Sequence, residues 1–417
     1  MIKSATRRYA LVSFLVWLPV GLYAAPMVLL TLSRGLDLAG VAAIGAAYSL
    51  TVAILELPTG GLADVIGRRP VLVASAVISA AGLVLLGLST TAAGLVAAAV
   101  LRGVARALST GPAEAWYVDT VHAAGGPDAD LGPGLARGAA SASATLAVGM
   151  LAGGLLPVVV GGPIGPVVPL ALPVLLGAVG EIVRVVVTIR ALPEPPRSTG
   201  GGPRPGVFTT VRTGLRLGLR DPVVSRLLVI AAAIGATLAT IELITPAWLG
   251  RATGDAETGG LAYALVAAAG FVADGLGSTA SHRVARRLGS PRSGAIAGLL
   301  LAVAALAGLA AATQLPGAGG VLLAGAAYCG IFVGIGISVP VQARLLHSRV
   351  GAGERATVVS VQSLLMQITG AVAAVALGAL ATGTAPGLAV LAVAIVLGLS
   401  LTLLRHRPEV RPVQDHR

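Results

Sequence analysis

The sequence predicts an all-α polytopic membrane protein of twelve transmembrane helices arranged as two six-helix bundles. Three observations carry this. The 417 residues are 56% hydrophobic and 11% charged, with a mean hydropathy of +0.91. Apolar runs of roughly 20 residues, enough to cross a hydrocarbon core of about 30 Å, recur along the chain. The runs are continuous, whereas a membrane β-barrel needs alternation with short turns. Lipid offers the backbone no hydrogen bonds, so such runs must be helices.

The spans fall near residues 10–32, 38–59, 71–90, 92–117, 137–160, 167–191, 223–249, 259–281, 293–313, 319–341, 357–382 and 387–405. The first follows Lys3, Arg7 and Arg8, but its apolar stretch exceeds the roughly 7–15 residues of a signal-peptide core. It is read as a membrane helix. Many spans are rich in Gly and Ala, which lets helices approach closely in lipid.

The net charge is +12. With the N-terminus inside, the outer loops hold only Arg34 and Arg251, and the other loop cations lie on the inner side. That asymmetry predicts both termini in the cytoplasm, with the chain in the plasma (cell inner) membrane. It accounts for the cations without a nucleic-acid partner. The lone cysteine, Cys329, lies within a span, so no intrachain disulfide forms. There is no CxxC or Cys/His set, no H-E-x-x-H and no GxxxxGK[ST] run, and His122, His282, His347, His406 and His416 are scattered. The chain is therefore expected to be no enzyme, to use no metal or cofactor, and to draw energy from an ion or substrate gradient.

Residues 192–222 form the longest connection. Its first part is Pro/Gly/Ser-rich, the composition of a flexible linker. Its second part spaces Val207, Val211, Leu215 and Leu219 among Arg212, Arg216 and Arg220, which predicts a basic amphipathic helix on the inner membrane surface. The expected organisation is a six-helix bundle over 1–191, this linker over 192–222, a second bundle over 223–405 and a cytoplasmic tail over 406–417. The charged connection before span 9, "GSTASHRVARRLGSP", has the place and charge of Gly60–Pro70, as two parallel repeats would.

The connection "GGLADVIGRRPVL", Gly60 to Leu72, concentrates charge between two spans. Gly60 and Gly61 let another helix approach. Gly67 suits a left-handed turn at the helix end. Pro70 suits the start of span 3. Asp64 is placed to face the positive N-terminus of another helix. A plain inner-side charge signal explains Arg68 and Arg69 but neither Asp64 nor the glycine spacing.

These residues resemble the signature loop between spans 2 and 3 of the major facilitator superfamily, G-x-L-a-D-r-x-G-r-r. Gly60, Leu62, Ala63, Asp64, Gly67, Arg68 and Arg69 match, and Val65 replaces an arginine. With twelve spans and a central linker the resemblance covers the whole chain. It implies two bundles rocking about a central cavity, with this loop latching them on the cytoplasmic side. Asp64 would then lie near the start of span 11, around Thr357, and the arginines near Asp119. The segments Glu56–Gly60, Arg102–Thr120 and Glu354–Gly370 resemble drug-exporter branches. In span 5, "VGMLAGG" shares Gly149, Gly153 and Gly154 with the exporter pattern G-P-x-x-G-G, but Met150 replaces proline. Plain small-residue packing explains the same glycines.

Ionisable residues inside a membrane are costly, so each is a functional candidate. Arg102 and Arg106, four apart on span 4, share a helix face. Arg102 matches the arginine of the family motif R-x-x-q-G, but Ala105 and Arg106 depart from it. Arg102 is read as tuning a nearby carboxyl group or binding an anionic group. Glu56 and Glu114 are read as partners of Arg106 or as proton carriers. Glu181 and Arg184, three apart on span 6, are read as a structural pair. Glu242 in span 7 has no cation near it in sequence before Arg251, which suits a proton carrier or a partner for a cationic substrate. Asp274 in span 8 is a second candidate. Tyr23, Tyr48 and Phe332 are expected in the cavity, with Gln362 and Met366 on one face of span 11.

The sequence reading is a secondary transporter that exports amphipathic small molecules, antibiotics included, by proton antiport. Its partners are the small-molecule substrate, protons and the lipid bilayer, and it is expected to be a monomer. The alternative is an importer or facilitator of a sugar or other metabolite.

Overall fold

The computed structural model describes residues 2–126, 128–193, 216, 221–350, 355–382 and 385–405, without the side chains of residues 57, 58, 60, 61, 64, 347, 355, 356 and 405. The amphipathic segment expected over residues 207–220 lies outside them, apart from Arg216. The first half contains α1 (Ile2–Ala24), α2 (Met27–Ser33), α3 (Leu38–Ile66), α4 (Arg68–Leu88), α5 (Ala92–Ser109), α6 (Pro112–Gly125), α7 (Gly132–Val160) and α8 (Leu172–Ala191). The second contains α9 (Pro222–Thr253), α10 (Ala256–Arg287), α11 (Pro291–Ala312), α12 (Gly317–His347), α13 (Arg355–Ala381) and α14 (Pro386–Arg405). Among the described residues eleven helices are long and apolar enough to cross a membrane, or twelve if the bent pair α1 and α2 is one span.

The sequence predicts two continuous helices that the structure breaks. Span 1 begins at Ile2 and bends by 42° between Ala24 and Met27, because Pro26 has no N–H for the preceding turn and crowds it. Span 4 divides at Gly111, whose φ of 95° only glycine adopts readily. Pro112 then opens α6, where its missing N–H has no role in a helix.

The two halves pack alike. In the first, α1 packs on α7 and α8, α3 and α4 on α5, and α4 on α8. In the second, α9 packs on α13 and α14, α10 and α11 on α12, and α11 on α14. Counted as spans, with α1–α2 and α5–α6 each as one, these are the same pairs shifted by six. The turns expected to correspond do so in backbone terms: Gly67 (φ 105°) precedes α4, and Gly289 (φ 76°) precedes the α11 cap. There Ser290 Oγ accepts the Ser293 N–H at 3.0 Å. Gly67 has ψ 155°, so it is an extended glycine-only conformation rather than the left-handed helix end expected. Pro70 is the third residue of α4, still within the first turn.

Contact between the halves runs through α3 with α13 and α7 with α10. Its closest approaches lie at the end away from the Gly67 turn. A Cβ on Gly154 would meet Ala264 Cβ at 2.4 Å and Gly260 O at 2.9 Å, and one on Gly378 would meet Leu38 O at 3.0 Å. Leu29 of α2 fills the space beside Gly250. The described conformation is thus closed at this end.

Candidate functional site

The first-half cluster follows from residues spaced three or four apart on three helices. Arg102 and Arg106 repeat on α5, Ser75 and Ser79 on α4, and Glu181 and Arg184 lie three apart on α8. The fold turns all six toward a cavity of about 220 Å³, which Trp17, Tyr23 and Tyr48 also line. Glu181 and Arg184 form a buried ion pair at 2.5 Å. Ser79 donates to Glu181 Oε1 at 2.8 Å, and Arg184 donates to Ser75 Oγ at 3.2 Å. The pair reading is therefore supported, but the pair also forms a wall of the cavity.

Arg102 and Arg106 are held differently. The Arg102 guanidinium carbon lies 4.1 Å from the Tyr23 ring centroid and 5.4 Å from that of Tyr48. Its Nη1 donates to Met27 Sδ at 3.4 Å, and its Nε is buried without a hydrogen-bond partner. Arg106 lies over Trp17 at 4.8 Å. Neither arginine forms an ion pair with a described carboxylate. Glu56 and Glu114 do not pair with Arg106 as the sequence suggested: Glu114 is exposed at the start of α6, beyond the break at Gly111. Removing a guanidinium from water costs several kcal/mol. Two aromatic faces offset roughly 0.5–2 kcal/mol each. Arg102, 7% exposed, is therefore left under-compensated.

The second half places Glu242 opposite. From Ile241 to Leu249, Glu242 is the one residue that is exposed, although α9 is the most enclosed span. The hydroxyls of Tyr48, Tyr263 and Tyr328 lie within electrostatic reach of its carboxylate, so Glu242 is near residues of both halves. Tyr263 meets Tyr328 edge-on at 6.3 Å, Tyr328 stacks on Phe332 at 5.1 Å, and Phe332 meets Phe271 at 6.1 Å. Tyr48 thus lies near both Arg102 and Glu242. Among the described residues no cation pairs with Glu242.

Asp274 lies eleven residues along α10 from Tyr263, about 16 Å by helical rise, and its main chain packs on Gly336 of α12. The Met366 main chain packs on Gly235 of α9, and Thr369 Oγ1 donates to Ala232 O at 2.9 Å. Neither Gln362 nor Met366 lines the arginine cavity. The face they share is a helix contact because glycine at 235 admits α13 closely.

At the turn between α3 and α4, Arg68 Nη2 lies 2.8 Å from Asp119 Oδ2, as the resemblance implied. Val65 is 72% exposed, so the usual arginine arm is replaced by a side chain that grips nothing. The Asp64 side chain lies outside the described set, so its contact near Thr357 does too. A larger hollow of about 450 Å³ beside Lys3, Arg7 and Arg137 has exposed cations at helix ends, as inner-surface charge requires.

Sequence reasoning missed Trp17, Tyr263, Tyr328 and Phe271. Tyr328 and Phe332 carry a signal, an aromatic pair four apart on one helix. Tyr263 carries none, because only the fold brings α10 beside Glu242.

The comparisons agree with this architecture. The family model described as Major Facilitator Superfamily matches residues 9–374. A crystal structure of the nucleoside transporter NupG superposes with a TM-score of 0.78 at 13% identity, covering 97% of this chain and 100% of that one. A bacterial homolog of the human lysosomal transporter Spinster, inward-facing and unoccupied, superposes with a TM-score of 0.75 at 17% identity, covering 97% and 96%. At such identities these likenesses show the fold alone. No curated protein sequence matches the chain. With the matched model spanning most of its length, the chain belongs to the major facilitator superfamily.

Proposed function

We propose that this protein is a secondary transporter that exports amphipathic small molecules by alternating access, exchanging them for protons through Glu242. The observation that carries the reading is the setting of Glu242. It is the one exposed position in a buried stretch of α9, faces tyrosines from both halves and has no described cationic partner. A carboxyl group so placed changes the charge of the central space by one unit on protonation, and it reaches water only through that space.

The mechanism uses the packing described above. The end away from Gly67 is closed by the glycine contacts of α7 with α10 and α3 with α13. Substrate enters from the opposite, cytoplasmic side and rests between the tyrosines. A rocking motion that parts these contacts opens the far side, where substrate leaves and Glu242 takes a proton. The return stroke delivers that proton to the cytoplasm. The Arg68–Asp119 pair braces the turn that latches the cytoplasmic side in the outward-facing state.

Export rests on the exporter-like segments and import on none, although the fold serves both. The test is uptake by inverted membrane vesicles across a compound panel, with and without an imposed proton gradient. Gradient-dependent accumulation supports export. Accumulation only in right-side-out vesicles assigns an importer.

A further inference from the structure

We propose that the cavity between α1, α3, α4, α5 and α8 is a subsite for an oxyanion, and that the transported molecule is an amphipathic organic anion whose carboxylate or phosphate sits between Arg102 and Arg106. The inference deepens the transporter reading and rests on it. Four charged side chains line the cavity. Glu181 and Arg184 neutralise each other, so Arg102 and Arg106 are in excess. Neither has a described carboxylate partner, and both are capped by rings rather than acids. Arg102 is more than nine-tenths buried, and its Nε lacks a hydrogen-bond partner.

Two cations at this depth of a membrane protein call for compensation. Guanidinium groups offer paired N–H donors matched to carboxylate and phosphate oxygens. The rings of Trp17, Tyr23 and Tyr48 cover the guanidinium faces, leaving N–H groups other than Arg102 Nη1, among them the unpartnered Nε, for a ligand. A monoanion there, with the Glu242 carboxylate across Tyr48, brings the formal charge of the occupied site to zero.

The test measures binding without any gradient or transport, so it can fail or succeed independently of the direction and proton coupling. Full-length protein in phosphatidylcholine nanodiscs is dialysed against radiolabelled pairs that differ in charge: indole-3-acetate with tryptamine, and decyl phosphate with decylamine. The anion of each pair is expected to bind about tenfold or more tightly than the cation, as one charge-assisted contact requires. Arg102→Gln and Arg106→Gln should each remove that preference. Arg102→Lys, which keeps the charge and guards against misfolding of the Gln variant, should retain the preference with weaker binding. Cations binding as well as anions, no anion binding to protein with an intact melting transition, or a preference unchanged in both Gln variants overturns the proposal. Loss of anion binding on adding phosphatidylglycerol to the nanodiscs overturns it too, by giving the site to lipid.

Discussion

Arg68 Nη2 and Asp119 Oδ2 meet at 2.8 Å, tying the turn between α3 and α4 to α6 across 51 residues of chain. The Asp119 side chain is 41% exposed, so the pair contributes little to stability, about 1 kcal/mol or less. In the proposed mechanism it braces the turn that latches the cytoplasmic side. Asp119→Asn is expected to leave melting nearly unchanged and to slow transport several-fold. Asp64→Asn should slow transport similarly if, as the resemblance implies, its charge faces a helix end. Both are read by initial rates beside melting curves; unchanged turnover reduces the turn to a topology signal.

Glu242→Gln mimics the protonated carboxyl. It is expected to abolish export driven by a pH step in liposomes while retaining downhill exchange of substrate. A variant that still concentrates substrate against its gradient makes Glu242 structural.

The Glu181–Arg184 pair is a stability element. Glu181→Gln leaves a buried guanidinium uncompensated, and the expected loss is about 3–5 kcal/mol, seen as a lower melting temperature in detergent. Glu181→Leu with Arg184→Met removes both charges and should recover most of it. Equal destabilisation by the single and double variants contradicts this account.

Gly154 permits closure at the end away from Gly67. Gly154→Val places atoms where Ala264 and the Gly260 carbonyl stand, so the protein should be held open there. Leu29, 4% exposed, reports on it: in a Cys329→Ala background, Leu29→Cys should label slowly with a membrane-impermeant maleimide from outside. It should label several-fold faster with Gly154→Val. Equal rates show that the glycine serves packing within one conformation only.

The inner location of the Gly67 turn is tested by Ile66→Cys in the same background. Position 66 is exposed, so labelling should require membrane permeabilisation. Labelling in intact cells reverses the topology.

Much of the fold is legible in the sequence because lipid imposes one rule on every span. A run of apolar residues must become a helix, so composition alone places most of α3 to α14 within a few residues. The breaks were less legible. Pro26 and Gly111 lie in apolar runs, where hydropathy has no signal for a bend and only backbone chemistry does. The Gly67 turn was legible because each residue has a local reason to be there.

The candidate site divides the same way. Arg102, Arg106 and Glu242 were legible as candidates because a charge in lipid stands out at any position. Which of them have partners was not. Glu181 and Arg184 cancel and the α5 arginines do not, since pairing depends on which helix faces which. The sequence by itself determined the membrane class, the spans and the suspect charges, because these follow from local transfer free energies. Only the tertiary structure decided that Tyr48 lies near both Arg102 and Glu242, that the Met366 main chain packs on α9, and that the Asp274 main chain packs on α12, because such contacts between distant segments are set by helix packing across the whole chain.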